Sequence, residues 1–291
     1  MHQNSGFLPR RAAGPRASST NPCLEPLEPR RLLSAAAVVG RYVFYNNSSY
    51  DGGRAAADRA DDAAVAPDKE ALVPGGTPSS ANVTSYSRGI NGVIIDVNDL
   101  PPGAAALTAA DFTFRSVHSA DGQELAGAAA PPPASVTVRR GAGAYGSDRI
   151  TLAWPDYAAA AAEAALANGW LEVTIRANPH TGLAAPDVFY FGNLIGETGD
   201  GTSPFRVTAA DLGAIKKALN SDATVSSRYD FNRDGKVTAL DLGLAKANLN
   251  RGLPPLAPVG GATPAAGPAP FSAERFEADR DTVLRPAEDL L

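Results

Sequence analysis

The sequence predicts a mainly β protein, an antiparallel β-sandwich, followed by a small α module built from a duplicated loop–helix unit. Three observations carry this. Short runs rich in β-branched and aromatic residues, separated by turn-forming clusters, recur from about Arg41 to Phe191. A fourteen-residue segment then repeats at an offset of 30, at 207–220 and 237–250. The second copy is preceded by oxygen-bearing side chains alternating at the spacing that wraps a hard cation.

The 291 residues divide by composition into 1–40, 41–191, 192–253 and 254–291. Gly and Pro number 28 and 24, about 18% of the chain against the usual share of about 12%. They crowd the ends and linkers, so the folded part is shorter than the chain. The net charge of −5 and the lack of a basic stripe with interleaved aromatics argue against nucleic acid. Cys23 is the only thiol, so the fold holds without disulfides, and bound metal is one substitute. No apolar run approaches the ~20 residues that span a bilayer. The first 24 residues lack Asp and Glu and carry Arg10, Arg11 and Arg16. Arg30 and Arg31 then precede the apolar run 32–39, an order that reads as an export signal, with residues 1–40 mostly disordered. The Pro-, Ala- and Gly-rich stretch after Leu253, and the charged segment that follows, read as a disordered tail.

Within 41–191 each strand has a local signature. Residues 41–45 alternate and end at the turn-forming Asn46–Ser49. Asn91–Gly92 reads as a tight turn, and Val93–Val97 after it is β-branched. Asp111–Arg115, Ser135–Val138, Arg149–Trp154 and Leu171–Ile175 add further strands, and Phe189–Phe191 closes the set. Asp156 is placed to cap an Ala-rich helix over Tyr157–Leu166, ended by Asn168–Gly169. The aromatics Tyr42, Tyr45, Tyr50 and Trp154 have two readings, as half of a sandwich core or as an exposed platform for sugars.

The repeat carries the chemistry. Nine of its fourteen positions are identical between copies, among them Val207/Val237, Thr208/Thr238, Asp211/Asp241 and Asn220/Asn250. In Asp230–Asp241, side-chain oxygens fall at positions one, three and five of a twelve-residue loop: Asp230, Asn232 and Asp234. Gly235 permits the sharp turn, Lys236 offers its backbone carbonyl, Thr238 a hydroxyl, and Asp241 a carboxylate from the following helix. Such a donor set calls for Ca2+. Val237 is expected to fasten this loop to its partner loop. Leu212, Ile215 and Leu219, with Leu242, Ala245 and Leu249, form stripes that pack the two helices together. The first copy departs from the pattern. Counting back from Asp211 puts Asp200 at position one, then Thr202 and the donor-less Pro204 at positions three and five. The other reading begins at Asn193 and makes an enlarged site from Asn193, Glu197, Asp200, Thr208 and Asp211.

Residues 207–250, with Asp rather than Glu at position twelve and an Asp-Leu pair opening each helix, resemble a type I dockerin. The resemblance implies a calcium-binding module that docks on a cohesin. It departs at positions ten and eleven, where Ala209–Ala210 and Ala239–Leu240 replace the hydroxyl or charged residues that often meet cohesin. The partner is therefore a cohesin-like protein or the chain's own sandwich. Residues 27–33, Leu-Glu-Pro-Arg-Arg-Leu-Leu, resemble the LEPR-XLL segment of bacterial secreted and surface proteins, which implies export to the medium or cell surface. Together these give a non-catalytic surface protein with carbohydrate as a further candidate ligand. The competing expectation is a component of polysaccharide degradation, a hydrolase or carbohydrate-binding protein. Against the hydrolase, His2, His118 and His180 form no recognisable nucleophile or zinc pattern.

Overall fold

The computed structural model describes residues 35–102, 107–120, 123–158, 161, 163–201, 204–253 and 256. The elements among them are β1 (Ala37–Val43), β2 (Val83–Thr84), β3 (Gly92–Asn98), β4 (Phe112–Ala120), β5 (Gln123–Ala129), β6 (Ser135–Arg139), β7 (Asp148–Ala153), β8 (Gly169–Ile175), β9 (Asp187–Asn193), α1 (Ala209–Ala218) and α2 (Ala239–Ala247). Two sheets, ordered β1-β3-β7-β6 and β2-β9-β8-β4-β5, pack together as a sandwich, and the two-helix module follows. All strand pairs are antiparallel except β2 with β9. The LEPR-XLL-like segment, Cys23 and the tail lie outside the described residues.

Alternation explains the core. In β3, Val93, Ile95 and Val97 face the other sheet and join Ile150, Leu152, Val173, Phe189 and Phe191 in one buried cluster. Ile94 faces outward and is buried instead under Phe44 and Ala64. Asp96, on the same outer face, is buried and held by Arg149, whose Nε and Nη2 donate to its two oxygens, each at 2.8 Å. Tyr45 and Trp154 are buried in the core, and the Trp154 Nε1–H donates to Pro131 O at 2.9 Å. These two rings are therefore core residues, not part of a sugar platform.

Several local expectations are corrected. Asn91–Gly92 is not a hairpin turn. Gly92 opens β3 opposite Ala153, and a Cβ there would stand 2.5 Å from the Phe44 ring. Asn91 is buried, and its amide bonds to the backbone of Asn46 and to Asp156. The expected helix over Tyr157–Leu166 is absent from its described residues. Its intended cap, Asp156, accepts instead from Arg88, Asn91 and Asn47, and Leu166 is bridged to Ile90. β1 begins at Ala37, within the apolar run read as part of the export signal. β2 and β5 had no sequence signal: one is two residues long, and the other reads QELAGAA, poor in strand-forming side chains.

Candidate metal centre

The two helices begin alike because their sequences do. Thr208 and Thr238 are the N-caps, accepting from the N–H groups of Ala210 and Leu240. Asp211 and Asp241 reach back from the third helical position to complete a capping box. The Thr208 and Thr238 hydroxyls thus cap helices and donate to Asp211 and Asp241.

In the second loop Asp230 is buried. Its Oδ2 accepts from Gly235 N at 3.0 Å and its Oδ1 from Asp234 N at 3.2 Å. Gly235 has φ +90°, a value that favours glycine and lets the loop double back. Asn232 and Asp234 stand side by side, Nδ2 to Oδ2 at 2.8 Å. The buried Asp241 closes the loop, accepting from Phe231 N at 2.7 Å through Oδ1. No donor among the described residues reaches the Lys236 carbonyl.

The first loop is longer. Asp211 Oδ1 accepts from Thr198 N at 2.8 Å, as Asp241 accepts from Phe231 N. Glu197 therefore takes the place of Asp230, and this loop runs over fifteen residues rather than twelve. Glu197, Asp200 and Asp211 each bring one carboxylate oxygen within 4.8 Å of the others. Among the described residues no other three acidic groups converge so closely; the second loop mixes its carboxylates with the Asn232 amide and a backbone carbonyl. Asn193 is corrected out of the donor set. It ends β9, buried, with its amide spent on Asn168 N, Thr84 Oγ1 and Tyr86 O. Thr202 lies outside the described residues.

The repeat is a structural one as well. Asn220 N donates to Val237 O at 2.8 Å, and Asn250 N to Val207 O at 2.8 Å. Val237 N donates to Ser221 O, and Val207 N to Arg251 O, both at 2.9 Å. Each loop is thus stitched to the chain leaving the other unit's helix, which corrects the expected loop-to-loop contact of Val237. Ile215, Phe231, Val237 and Ala245 form the module's own core. Leu219 and Leu249 lie beyond the helix ends, and Leu249 is exposed. The 30-residue offset pairs Lys236 with Arg206, whose carbonyl also meets no donor among the described residues; that offset is the signal that locates it. Thr198 had no such signal, because the first loop's extra length hides its register.

The module rests on the sandwich. Phe205, Val207, Leu253 and Leu256 share a buried cluster with Leu72, Val83, Trp170, Tyr190 and Leu194. Arg233 is buried with its guanidinium 4.1 Å from the Tyr45 ring centre, and its Nη2 donates to Tyr45 Oη at 2.9 Å. Both helices keep an exposed face, on which Leu240 is 58% exposed.

These loops fit a divalent cation. Asp211, Asp230 and Asp241 are fully buried and Glu197 nearly so. Among the described residues none of the four forms an ion pair with Lys, Arg or His. Buried carboxylates without a direct ion-pair partner are costly, and a cation among them removes that cost. The strain shows in their proton affinities. Burial, and then the charge of Asp211, push the Glu197 carboxyl up to about 7. Burial raises that of Asp230; the Gly235 N–H and the Arg233 charge offset this in part, and the charges of Asp241 and Asp234 add to the rise. The donors are all oxygen, carboxylate and carbonyl, which is the chemistry of Ca2+ rather than of softer metals.

Residues 198–250 match the family described as the dockerin type I domain. Dockerin modules bind Ca2+ and imply a cohesin partner and an extracellular setting. No curated protein and no solved structure matches the chain. No described helix is long and apolar enough to cross a membrane.

Proposed function

We propose that this is a secreted or cell-surface, non-catalytic protein whose two calcium loops fix the helices α1 and α2 as a docking surface, carried on a sandwich that serves as its platform. The observation that supports this best is the symmetry of the exposed helix residues. Phe205, Val207, Arg233 and Leu253 anchor the module on the sandwich, whereas Ala209, Ala210, Lys216 and Lys217 on α1 and Ala239, Leu240, Lys246 and Ala247 on α2 are exposed. These two sets are related by the 30-residue repeat, and both remain open to a partner. With Ala and Leu where dockerins often carry hydroxyl or charged residues, the contact would be more apolar than is usual in that family. The basic N-terminal stretch and its LEPR-XLL-like segment support export.

The test is calorimetry of the full chain against a panel of type I cohesins, in calcium and in chelator. Binding in calcium that is lost in chelator, and lost with Leu240→Glu, is the expected result. Calcium uptake without affinity for any cohesin would overturn the docking assignment.

A further inference from the structure

We propose that Tyr50, a sandwich residue, is a positioning residue of the second calcium loop, so that calcium in this loop also holds the module on the sandwich. This rests on the calcium reading of residues 230–241. The loop has two faces. Its odd positions, Asp230, Asn232, Asp234 and the Lys236 carbonyl, are the candidate donors. Its even positions meet the rest of the chain. The Phe231 carbonyl accepts from Ser87 N at 2.7 Å, and the Arg233 carbonyl accepts from Ser49 N at 3.0 Å and Ser49 Oγ at 2.8 Å. Arg233 has φ +55°, a left-handed conformation that a long side chain adopts only where its surroundings impose it. Those surroundings come from both sides. The Arg233 guanidinium lies over Tyr45 of the sandwich, and its Nη1 donates to Asp230 O at 2.6 Å.

Tyr50 joins the two faces. Its hydroxyl lies 3.2 Å from Asp230 Oδ2, the oxygen that also accepts from Gly235 N, and 3.2 Å from Ala223 O. The phenol has one proton, and the carboxylate is the stronger acceptor. Tyr50 is itself held in a bonded turn: its N–H donates to Ser48 Oγ at 3.2 Å, and the neighbouring Asp51 accepts from the N–H groups of Ser48 and Gly53, each at 2.9 Å. A donor fixed by the sandwich therefore orients the carboxylate at loop position one. Outer partners of this kind tune metal affinity by about 10–100-fold. Linkage is reciprocal: if the docked sandwich raises calcium affinity, calcium tightens the docking by the same factor.

The experiment uses the full chain. Calcium is titrated calorimetrically into wild type, Tyr50→Phe and Asp234→Ala, and amide exchange at Ser49 and Ser87 is followed with and without calcium. The binding step that Asp234→Ala removes should weaken about tenfold or more in Tyr50→Phe, with the other step unchanged. In wild type, calcium should slow exchange at both amides. Equal affinity of that step in wild type and Tyr50→Phe would overturn the role of Tyr50, and calcium-independent exchange at Ser49 and Ser87 would overturn the latch. An Asp234→Ala protein that takes up as much calcium as wild type would overturn the loop assignment itself, and this inference with it.

Discussion

Replacing Asp241 by alanine separates the two tasks this carboxylate performs. Oδ1 accepts from Phe231 N at 2.7 Å, and Oδ2 accepts from Thr238 N at 2.8 Å and from its hydroxyl at 3.2 Å. Alanine strands two well-bonded backbone donors in and beside a buried loop, each worth about 1–3 kcal/mol when left unpaired, and a third, Asn232 N, that reaches Oδ1 only at 3.4 Å. It also removes one half of a capping box. Against this, it relieves the repulsion that Asp241 exerts on Asp230. The expected cost without calcium is therefore at the lower end, about 2–3 kcal/mol. With calcium a second loss appears. At a thousandfold excess over the dissociation constant, a bound ion contributes about 4 kcal/mol, and Asp241→Ala forfeits it at this loop. The variant should thus be destabilised more than twice as much in calcium as in chelator. Urea unfolding of the full chain under the two conditions reads this directly. Equal destabilisation in both would show that Asp241 is a capping residue alone and would refute the ligand assignment.

In chelator, the Glu197 carboxyl ionises at about 7 in the folded protein against an ordinary value of 4.5. The folded state then holds the proton more tightly than the unfolded chain, so this group's contribution is present below pH 4.5 and is lost as pH rises through 7. The buried Asp61, pushed up to about 6, acts in the same direction. Glu197→Gln should therefore flatten only part of the decline between pH 5 and 8 in urea titrations, and saturating calcium should flatten the same part in wild type; a wild-type profile unmoved by calcium would contradict the site. Glycines in the module should respond with opposite signs. Gly213 and Gly243 are helical, and an added Cβ meets nothing within 4 Å, so alanine at either should stabilise by about 0.5–1 kcal/mol. Gly235 has equal room, its nearest neighbour being Ser49 Oγ at 3.8 Å, but φ +90°, so alanine there should destabilise by about 1–2 kcal/mol. Thermal melting of the three variants checks both signs, and a Gly235→Ala protein as stable as wild type would remove the case for a strained turn.

Features that depend on neighbours a few residues away were legible in the amino-acid order. Strands with β-branched alternation, the Thr-x-x-Asp openings of α1 and α2, and the compact turn around Gly235 are local, because the periodicities and bonds that form them close within about a dozen residues. The 30-residue repeat also carried the symmetric arrangement of the helices, since the same Thr caps and Asp carboxylates recur at that offset and close the same local bonds. The tertiary structure alone decided everything that depends on distant partners. Asn193 carries the right atoms for a ligand, but Thr84 and Tyr86, more than a hundred residues away, take them. Asp156 reads as a helix cap, but an arginine and two asparagines from the β1–β3 region claim its oxygens first. Glu197 opens the first loop only because Asp211 folds back onto Thr198 through an enlarged loop whose register composition does not reveal. The meeting of Tyr50 with Asp230 spans 180 residues. A carboxylate's role is set by which donors and charges surround it, and in a sandwich most of those are brought together by sheet pairing and packing, not by sequence proximity.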